Sequence, residues 1–429
     1  MQKFGVVSLG CSKNRVDTEI MLGIMQRAGF TITADASEAD IIAVNTCGFI
    51  ESAKQEAIDT ILEMAEYKKG ACKKLIVTGC LSQRYGAALK EAMPEIDIAI
   101  GINEYRLLPQ LLGHGQCRDD ARTLFERRTL SQGHFAYLRI ADGCNNRCSY
   151  CAIPEIRGVY RSRLIEEIIS EAEALCRAGV KELVVIAQDI TKFGVDLYDC
   201  CKLEELIKEI AKLDVQWIRL MYAYPGNEIE SLAELIPKTP KLVQYLDLPI
   251  QHCNDEILAH MNRAGSKAEL MRQIDSLKKA GIMIRTSLMT GFPGETETQH
   301  KEMLAFIEEC EFDHTGVFMF SPEEGTNAAT MSAQISESVK MRRYHELMSA
   351  QQRIARKKNE TRVGKVYQTI IDDVSVEKGF CLGRTFAEAP EVDGIVEVRG
   401  HGMRIGEFYN VRIVKAFDYD LIGELDEYA

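Results

Sequence analysis

The hydrophobic pattern predicts an α/β protein in three parts, the last a small all-β barrel. Three observations carry this. Short apolar runs alternate with amphipathic stretches over residues 1–120. Six more apolar runs recur between residues 136 and 320. From residue 363 the pattern changes to period two, broken by glycine turns. At roughly 150 residues per domain, 429 residues also suggest three units.

In the first part, Phe4 to Leu9, Ile41 to Val44 and Leu75 to Val77 read as buried parallel strands. Helical patterns from Asn14 to Ala28 and from Glu51 to Tyr67 lie between them. Residues 118–133 (RDDARTLFERRTLSQG) lose the periodicity and read as a linker. The second part, residues 130–362, holds AYLRIADG, LVVIAQDI, WIRLMYAYP, YLDLPIQH, IRTSLMTG and TGVFMFSP, with room for a helix between each pair. Repeated strand–helix units form a parallel sheet that curls, and six units rather than eight predict a partial (β/α)6 barrel. Its last stretch, Ser338 to Arg362, is helical and basic. In the third part, residues 363–429, TIIDDVSV, GFCLGRT, DGIVEVRG and EFYNVRIVKAFDYD read as strands of a closed β barrel.

Hydrophobic residues at 46% and charged residues at 27% exclude wholesale disorder. No apolar run approaches the roughly 18 residues that span a bilayer, and the first residues, MQKFGVVSLG, read as a strand rather than a signal peptide. The expectation is a cytoplasmic protein with no membrane contact. The net charge of −12 argues against tight nonspecific binding to nucleic acid. Fourteen cysteines in a reducing compartment point to metal ligation or catalysis for some of them.

Cys144, Cys148 and Cys151 form CNNRCSYC directly after the first barrel strand. Three thiolates within eight residues can wrap one metal centre. A structural zinc needs a fourth ligand to close its tetrahedron, and none lies nearby in the sequence. A 4Fe–4S cluster with one iron left open suits three cysteines. A zinc knuckle with a distant fourth ligand is the alternative. Further along, GFPGE (Gly291 to Glu295, including Gly294) fits a backbone-rich turn that a ligand can approach closely, and Gln188 ends the second strand. Both lie where such barrels bind ligands, at the C-terminal strand ends. The plainer readings are an ordinary turn and a buried amide.

Cys11 follows VVSLG, Cys47 follows IIAVNT and Cys80 follows LIVTG, 36 and then 33 residues apart. In a parallel sheet these strand ends share one edge, where crevices form. Three thiols distant in sequence can converge there as a second cluster site, the alternative being three unrelated buried cysteines. The other eight, Cys253 beside His252 among them, show no ligand spacing and read as packed thiols.

The CxxxCxxC motif, with Tyr150 before its last cysteine at the start of a strand–helix barrel, resembles the radical S-adenosylmethionine (SAM) enzymes. SLGCSKNRVDTE, NTCGFIESAK, TGCLSQRY, ADGCNNRCSYCAIPEIRGVYRSR and the barrel tail extend the resemblance over the whole chain, to the methylthiotransferase family. That resemblance implies an N-terminal cluster domain, a radical SAM barrel and a C-terminal TRAM domain of OB-like form. It implies two 4Fe–4S clusters, one on Cys144, Cys148 and Cys151 and one on Cys11, Cys47 and Cys80. It also implies SAM as radical source and methyl donor, contacted by Tyr150, Gln188, Gly291, Gly294 and Glu295, and an external electron donor for what is expected to be a monomer.

Two branches of the family matter. One, MiaB-like, modifies an adenosine of transfer RNA; the other, RimO-like, methylthiolates the β-carbon of an aspartate on small-subunit ribosomal protein number twelve. CSKNRVD, CAIPEIRG and GRTFAEAPEVDG resemble the RimO branch. Charge is an independent consideration. Residues 363–429 carry three Lys and four Arg against six Asp and seven Glu, a net of −6. A tail that grips RNA presents a basic face, whereas an acidic one suits a basic ribosomal protein. Acidity kept only for solubility is the plain alternative. The ten Lys, Arg or His between Lys340 and Lys365 offer a route to ribosomal RNA, or form a solvated helix face. A non-enzymatic iron–sulfur protein that binds RNA or senses redox state is a further alternative, but it leaves the strand–helix units and the GFPGE turn without a purpose.

Overall fold

A computed structural model describes residues 1–114, 127, 133–375 and 379–426. The expected linker lies outside the described residues apart from Arg127 and Gly133, as does Cys117.

The first sheet has five parallel strands: β1 (Lys3–Ser8), β2 (Thr31–Thr33), β3 (Ile41–Thr46), β4 (Lys74–Gly79) and β5 (Ile98–Ala99), in the order β2-β1-β3-β4-β5. β3 (IIAVNT) is buried at every position because it is central and covered on both faces. The hydrophobic pattern did not reveal β2 and β5, which are short edge strands without an apolar run. The strand order reverses between β1 and β3, so a crevice opens beyond their C-terminal ends.

The helix Ser12–Arg27 is buried on most sides, with Lys13, Asp17 and Glu19 among its buried residues. It packs on its own sheet and, on the other side, against the concave face of the second sheet, where Val16, Ile20 and Ile24 share a core with Phe135, Tyr137 and Val184.

That second sheet is also all parallel, and its six strands run in the order β13-β12-β11-β10-β9-β6: β6 (Phe135–Arg139), β9 (Glu182–Ile186), β10 (Trp217–Leu220), β11 (Leu242–Asp247), β12 (Met283–Thr290) and β13 (His314–Met319). It does not close on itself, so the expected partial barrel is what forms. Leu138, Leu183, Val185, Ile218, Leu220 and Leu246 point outward into a core shared with the surrounding helices. The run AYLRIADG divides: Ala141–Asp142 (β7) leaves the sheet to pair with Arg161–Ser162 (β8), carrying the following loop above the barrel mouth. The basic stretch becomes the helix Glu337–Glu360. Among the described residues no helix is long and apolar enough to cross a membrane.

The tail is a closed barrel of β14 (Val366–Ser375), β15 (Phe380–Arg384), β16 (Val396–Arg399), β17 (Phe408–Ala416) and β18 (Leu421–Leu425). EFYNVRIVKAFDYD supplies only β17; β18, which completes the barrel, follows it. The segment between β15 and β16 reaches into the concave face of the second sheet. Tyr245 donates to Asp393 at 2.7 Å, Tyr137 to Glu391 at 3.1 Å, Arg219 to the Phe386 carbonyl at 2.7 Å and His314 to the Ala387 carbonyl at 2.8 Å. Below it runs a buried chain of charges: Arg219 and Arg384 each hold Glu182 at 2.7 Å, and Arg384 and His134 hold Asp372 at 2.7 Å. Each ion finds its counter-ion inside, the condition for burying charge at all.

Candidate active site

Cys144, Cys148 and Cys151 lie on the loop between β7 and the short helix Ile153–Arg157, each partly exposed and none in a disulfide. The loop is pinned from several sides. The Cys144 N–H donates to the Gly158 carbonyl at 3.1 Å, the Cys151 N–H to the Cys148 carbonyl at 3.0 Å, and Asn262 donates to the Arg147 carbonyl at 2.8 Å. Gly143 makes this possible: it sits at φ +76°, and a Cβ there would lie 2.1 Å from the Val159 carbonyl oxygen. Arg263, which has no motif in the sequence, sits beside the trio. Its guanidinium lies 3.8 Å from Cys148 Sγ, donates to Tyr150 Oη at 3.2 Å and to the Pro249 carbonyl at 2.6 Å, and stacks 4.3 Å from the Tyr224 ring centroid. Burial pushes the Cys144 thiol up and that of Cys151 up to about 12.

The structure places the other expected site residues as follows. Tyr150 packs against a buried apolar group that includes Phe292 and Phe320. Gln188 donates to Asp142 at 2.9 Å, and its Oε1 is buried with no hydrogen-bond partner among the described residues. Gly294, at φ +85°, leaves the space where a Cβ would stand open. Gly291 is backed instead by the Lys340 side chain, 2.3 Å from where a Cβ would be. Glu295 accepts from the Gly291 N–H and from Arg343 at 2.9 Å through Oε2, while its Oε1, 3.5 Å from His252 Nε2, is buried with no hydrogen-bond partner among the described residues.

Cys11, Cys47 and Cys80 come together at the ends of the neighbouring strands β1, β3 and β4. Register aligns Thr46 with Gly79, so Cys47 and Cys80 emerge at the same level. Close backbone approach does the rest. A Cβ on Gly10 would lie 2.9 Å from Cys47 Cβ, one on Gly48 2.7 Å from the Leu81 backbone, and one on Gly79 (φ +95°) 2.4 Å from both Asn45 Oδ1 and the Thr46 carbonyl. Asn14 laces the strand ends, donating to the Leu9 carbonyl at 3.1 Å and the Thr46 carbonyl at 2.9 Å. Its Oδ1 accepts from Cys80 Sγ at 3.4 Å. Cys11 stands at the N-cap position of the helix Ser12–Arg27 and Cys80 opens the helix Cys80–Ala92, so two positive helix ends lie at these sulfurs. Burial pushes Cys47 up and Cys80 up to about 12.

The two trios meet. Cys80 packs against Ala152 and Ile156, one and five residues after Cys151. Arg157 donates to Asn14 and Asp17 at 2.8 Å from one nitrogen and to Asp142 at 3.2 Å from the other, bridging the two sheets. Asp17 also takes Arg139 at 2.5 Å. Beside them Lys13 Nζ lies 3.0 Å from the Tyr222 ring centroid, and burial brings its ammonium down to about 8. Each trio offers three thiols, a donor set that a 4Fe–4S cluster with one open iron would suit. Among the described residues no set of three or more His, Cys, Asp or Glu closes around a single ion. Cys253, Cys310, Cys72 and Cys381 are buried, as expected of packed thiols, whereas Cys176 and Cys201 are partly exposed and Cys200 is exposed.

Comparison with known proteins gives the following. The profile of the Uncharacterized protein family UPF0004 matches residues 3–101, that of the Radical SAM superfamily residues 138–307 and that of the TRAM domain residues 363–425. A protein of Acetivibrio thermocellus named ribosomal protein uS12 methylthiotransferase RimO is 46% identical over 445 residues, 99% of this chain and 98% of that one. A protein of the same name from Clostridium acetobutylicum is 47% identical, over 98% and 97% of the two chains. Among solved structures, the radical SAM methyltransferase TsrM from Kitasatospora setae superposes with a TM-score of 0.56 at 15% identity, covering 76% of this chain and 77% of that one. The cobalamin-dependent radical SAM enzyme OxsB gives 0.51 at 11% identity, covering 81% and 56%. Both share the fold.

Proposed function

Because the chain belongs to the RimO family of radical SAM methylthiotransferases, we propose that it attaches a methylthio group to the β-carbon of an aspartate in ribosomal protein uS12. The observation that carries the chemistry is the juxtaposition of the two cysteine trios, joined through Arg157 and Asn14. Such a carbon bears unactivated C–H bonds that side-chain acids and bases cannot break, so a cofactor must supply the reactive species. When bound, a 4Fe–4S cluster on Cys144, Cys148 and Cys151 supplies the electron that splits SAM to methionine and a 5′-deoxyadenosyl radical, and a second on Cys11, Cys47 and Cys80 holds the sulfur to be attached.

The chain's own residues position and shield. Arg263 keeps a permanent cation beside Cys148, offsetting the negative charge of the thiolates. The unpartnered Oε1 of Gln188 is an acceptor suited to the amino group of SAM. The open side of Gly294 lets a ligand approach the backbone, and Tyr150 with Phe292 and Phe320 gives an apolar wall that keeps water away. In this reading Gly291 and, through Oε2, Glu295 shape the turn from behind.

The tail supports a basic protein substrate. A cleft of about 410 Å³ is lined by Ile395, Glu397, Phe417, Asp418, Tyr419 and Asp420 among others, with Arg356 pairing Asp418 at 3.3 Å and Lys415 lying 4.7 Å from the Phe417 ring centroid. Its carboxylates and exposed rings suit a cationic, partly apolar segment. The reading includes a cytoplasmic monomer fed by an external electron donor, with functional divisions at 1–120, 130–362 and 363–429. The test is anaerobic reconstitution with iron and sulfide, then incubation with SAM, reductant and recombinant uS12. Deoxyadenosine together with uS12 heavier by one methylthio group at a single aspartate is expected. Modification of transfer RNA instead of uS12 would replace this substrate with the other branch's.

A further inference from the structure

The helix Ser12–Arg27 buries one cation without an acidic partner. Lys13 is 7% exposed, and among the described residues it makes no ion pair or hydrogen bond. Its neighbours are all committed. Asp17 takes Arg139 and Arg157, Asp142 takes Arg157 and Gln188, and Asp247 takes Arg285 at 2.9 Å and the Tyr222 N–H at 3.1 Å. Burying an ammonium without a counter-charge is costly, and nearby each buried acid already has its base.

Geometry indicates the side from which an anion reaches Lys13, whose nearest thiol is that of Cys11. Lys13 follows Cys11 by two residues, yet its Nζ sits over the Tyr222 ring, just beyond the C-terminal end of β10 at the barrel mouth. Tyr222 is itself fixed by Ser12, whose Oγ lies 3.3 Å from Tyr222 Oη. The ammonium therefore rests on that ring at the barrel mouth, two residues after Cys11, and makes no hydrogen bond among the described residues. The positive ends of two helices and the Arg157 guanidinium already supply cationic character to the Cys11, Cys47 and Cys80 cradle.

We propose that Lys13 is a specificity-determining residue whose ammonium binds the side-chain carboxylate of the substrate aspartate. That carboxylate is one bond from the β-carbon, so anchoring it fixes the carbon to be modified between the two sites. An amide in its place offers no charge. The inference rests on the proposed function and names the group that tells aspartate from its isosteres.

The test measures binding of recombinant uS12, and of uS12 with the target Asp→Asn, to reconstituted wild-type, Lys13→Met and Lys13→Arg proteins. A charge-assisted contact is worth roughly 1.5–3 kcal/mol, or about 10- to 150-fold in affinity. Wild type is expected to prefer the aspartate form by that factor, Lys13→Met to lose the preference and Lys13→Arg to keep part of it, all with equal iron content. If Lys13→Met binds both forms with the wild-type preference, or loses iron from the N-terminal trio, the assignment is overturned and the lysine serves packing or the cluster. A wild type that leaves uS12 unmodified overturns the proposed function and this inference with it.

Discussion

Replacing Arg384 by Met should loosen the tail barrel from the central sheet by an amount that can be worked out from its contacts. Arg384 is 2% exposed, and its guanidinium holds Glu182 at 2.7 Å and Asp372 at 2.7 and 2.9 Å. Removing one partner of a buried ion pair costs about 3–5 kcal/mol, because the partner left behind stays buried. The low end applies here: Glu182 keeps Arg219 and Asp372 keeps His134, so neither carboxylate is stranded alone. With a urea dependence of about 3 kcal/mol per molar, a loss of about 3 kcal/mol moves the transition down by about 1 M. The chain carries its own reporter, since its single tryptophan, Trp217, lies at this junction with its ring 4.7 Å from that of Phe408 in the tail barrel. Trp217 fluorescence against urea is the assay. Adding Glu182→Gln to Arg384→Met should cost less than the sum of the two single changes, by about 0.5–3 kcal/mol. A midpoint within about 0.2 M of wild type, well below the shift expected, would show that this network does not hold the barrel in place.

Other outcomes follow from the same geometry. Cys148→Ala should abolish reductive SAM cleavage, whereas Cys47→Ala should leave deoxyadenosine forming while methylthiolated product stops; both are read by chromatography and mass spectrometry. Gly79→Ala places a Cβ 2.4 Å from Asn45 Oδ1 and the Thr46 carbonyl, so iron content should fall by about half as the N-terminal cradle is lost, because binding needs a preformed site. Glu388 is buried against Arg362, which holds its carboxyl down at about 2 from the usual 4.5. Its pKa is depressed on folding, so its stabilisation is full above pH 4.5 and is lost as the pH falls through about 2. Acid unfolding of Glu388→Gln, followed by circular dichroism, should therefore lack that part of the wild-type pH dependence. An identical acid limb in both proteins would count against the pair.

Much of this protein is legible along the chain because the chemistry is local. CNNRCSYC carries the three cysteines proposed as cluster ligands within eight residues, and that spacing keeps them on one loop. Cys11, Cys47 and Cys80 are legible for a different reason: each follows an apolar strand, and a parallel sheet must bring such ends to one edge. Alternation and repetition likewise determined the two parallel sheets and the tail barrel, while short edge strands such as β2 and β5 left no hydrophobic signature.

Tertiary structure alone decided what stands between these parts. Arg263 reaches Cys148 from 115 residues away, Arg157 reaches Asn14 from 143, and Tyr137 reaches Glu391 from 254. Nothing in the local sequence of these residues predicts their partners, since a buried charge is specified by where its counter-ion lands after folding. The turn GFPGE shows the converse. Its sequence suggests a ligand-facing loop, and only the fold shows which parts stay open: Gly294 and Glu295 Oε1 do, while Gly291 is backed by Lys340. Periodicity and spacing determine which elements form and which strand ends adjoin. Which side chains of the helix Ser12–Arg27 meet those of the second sheet depends on how the two sheets dock, and no local run of sequence encodes that.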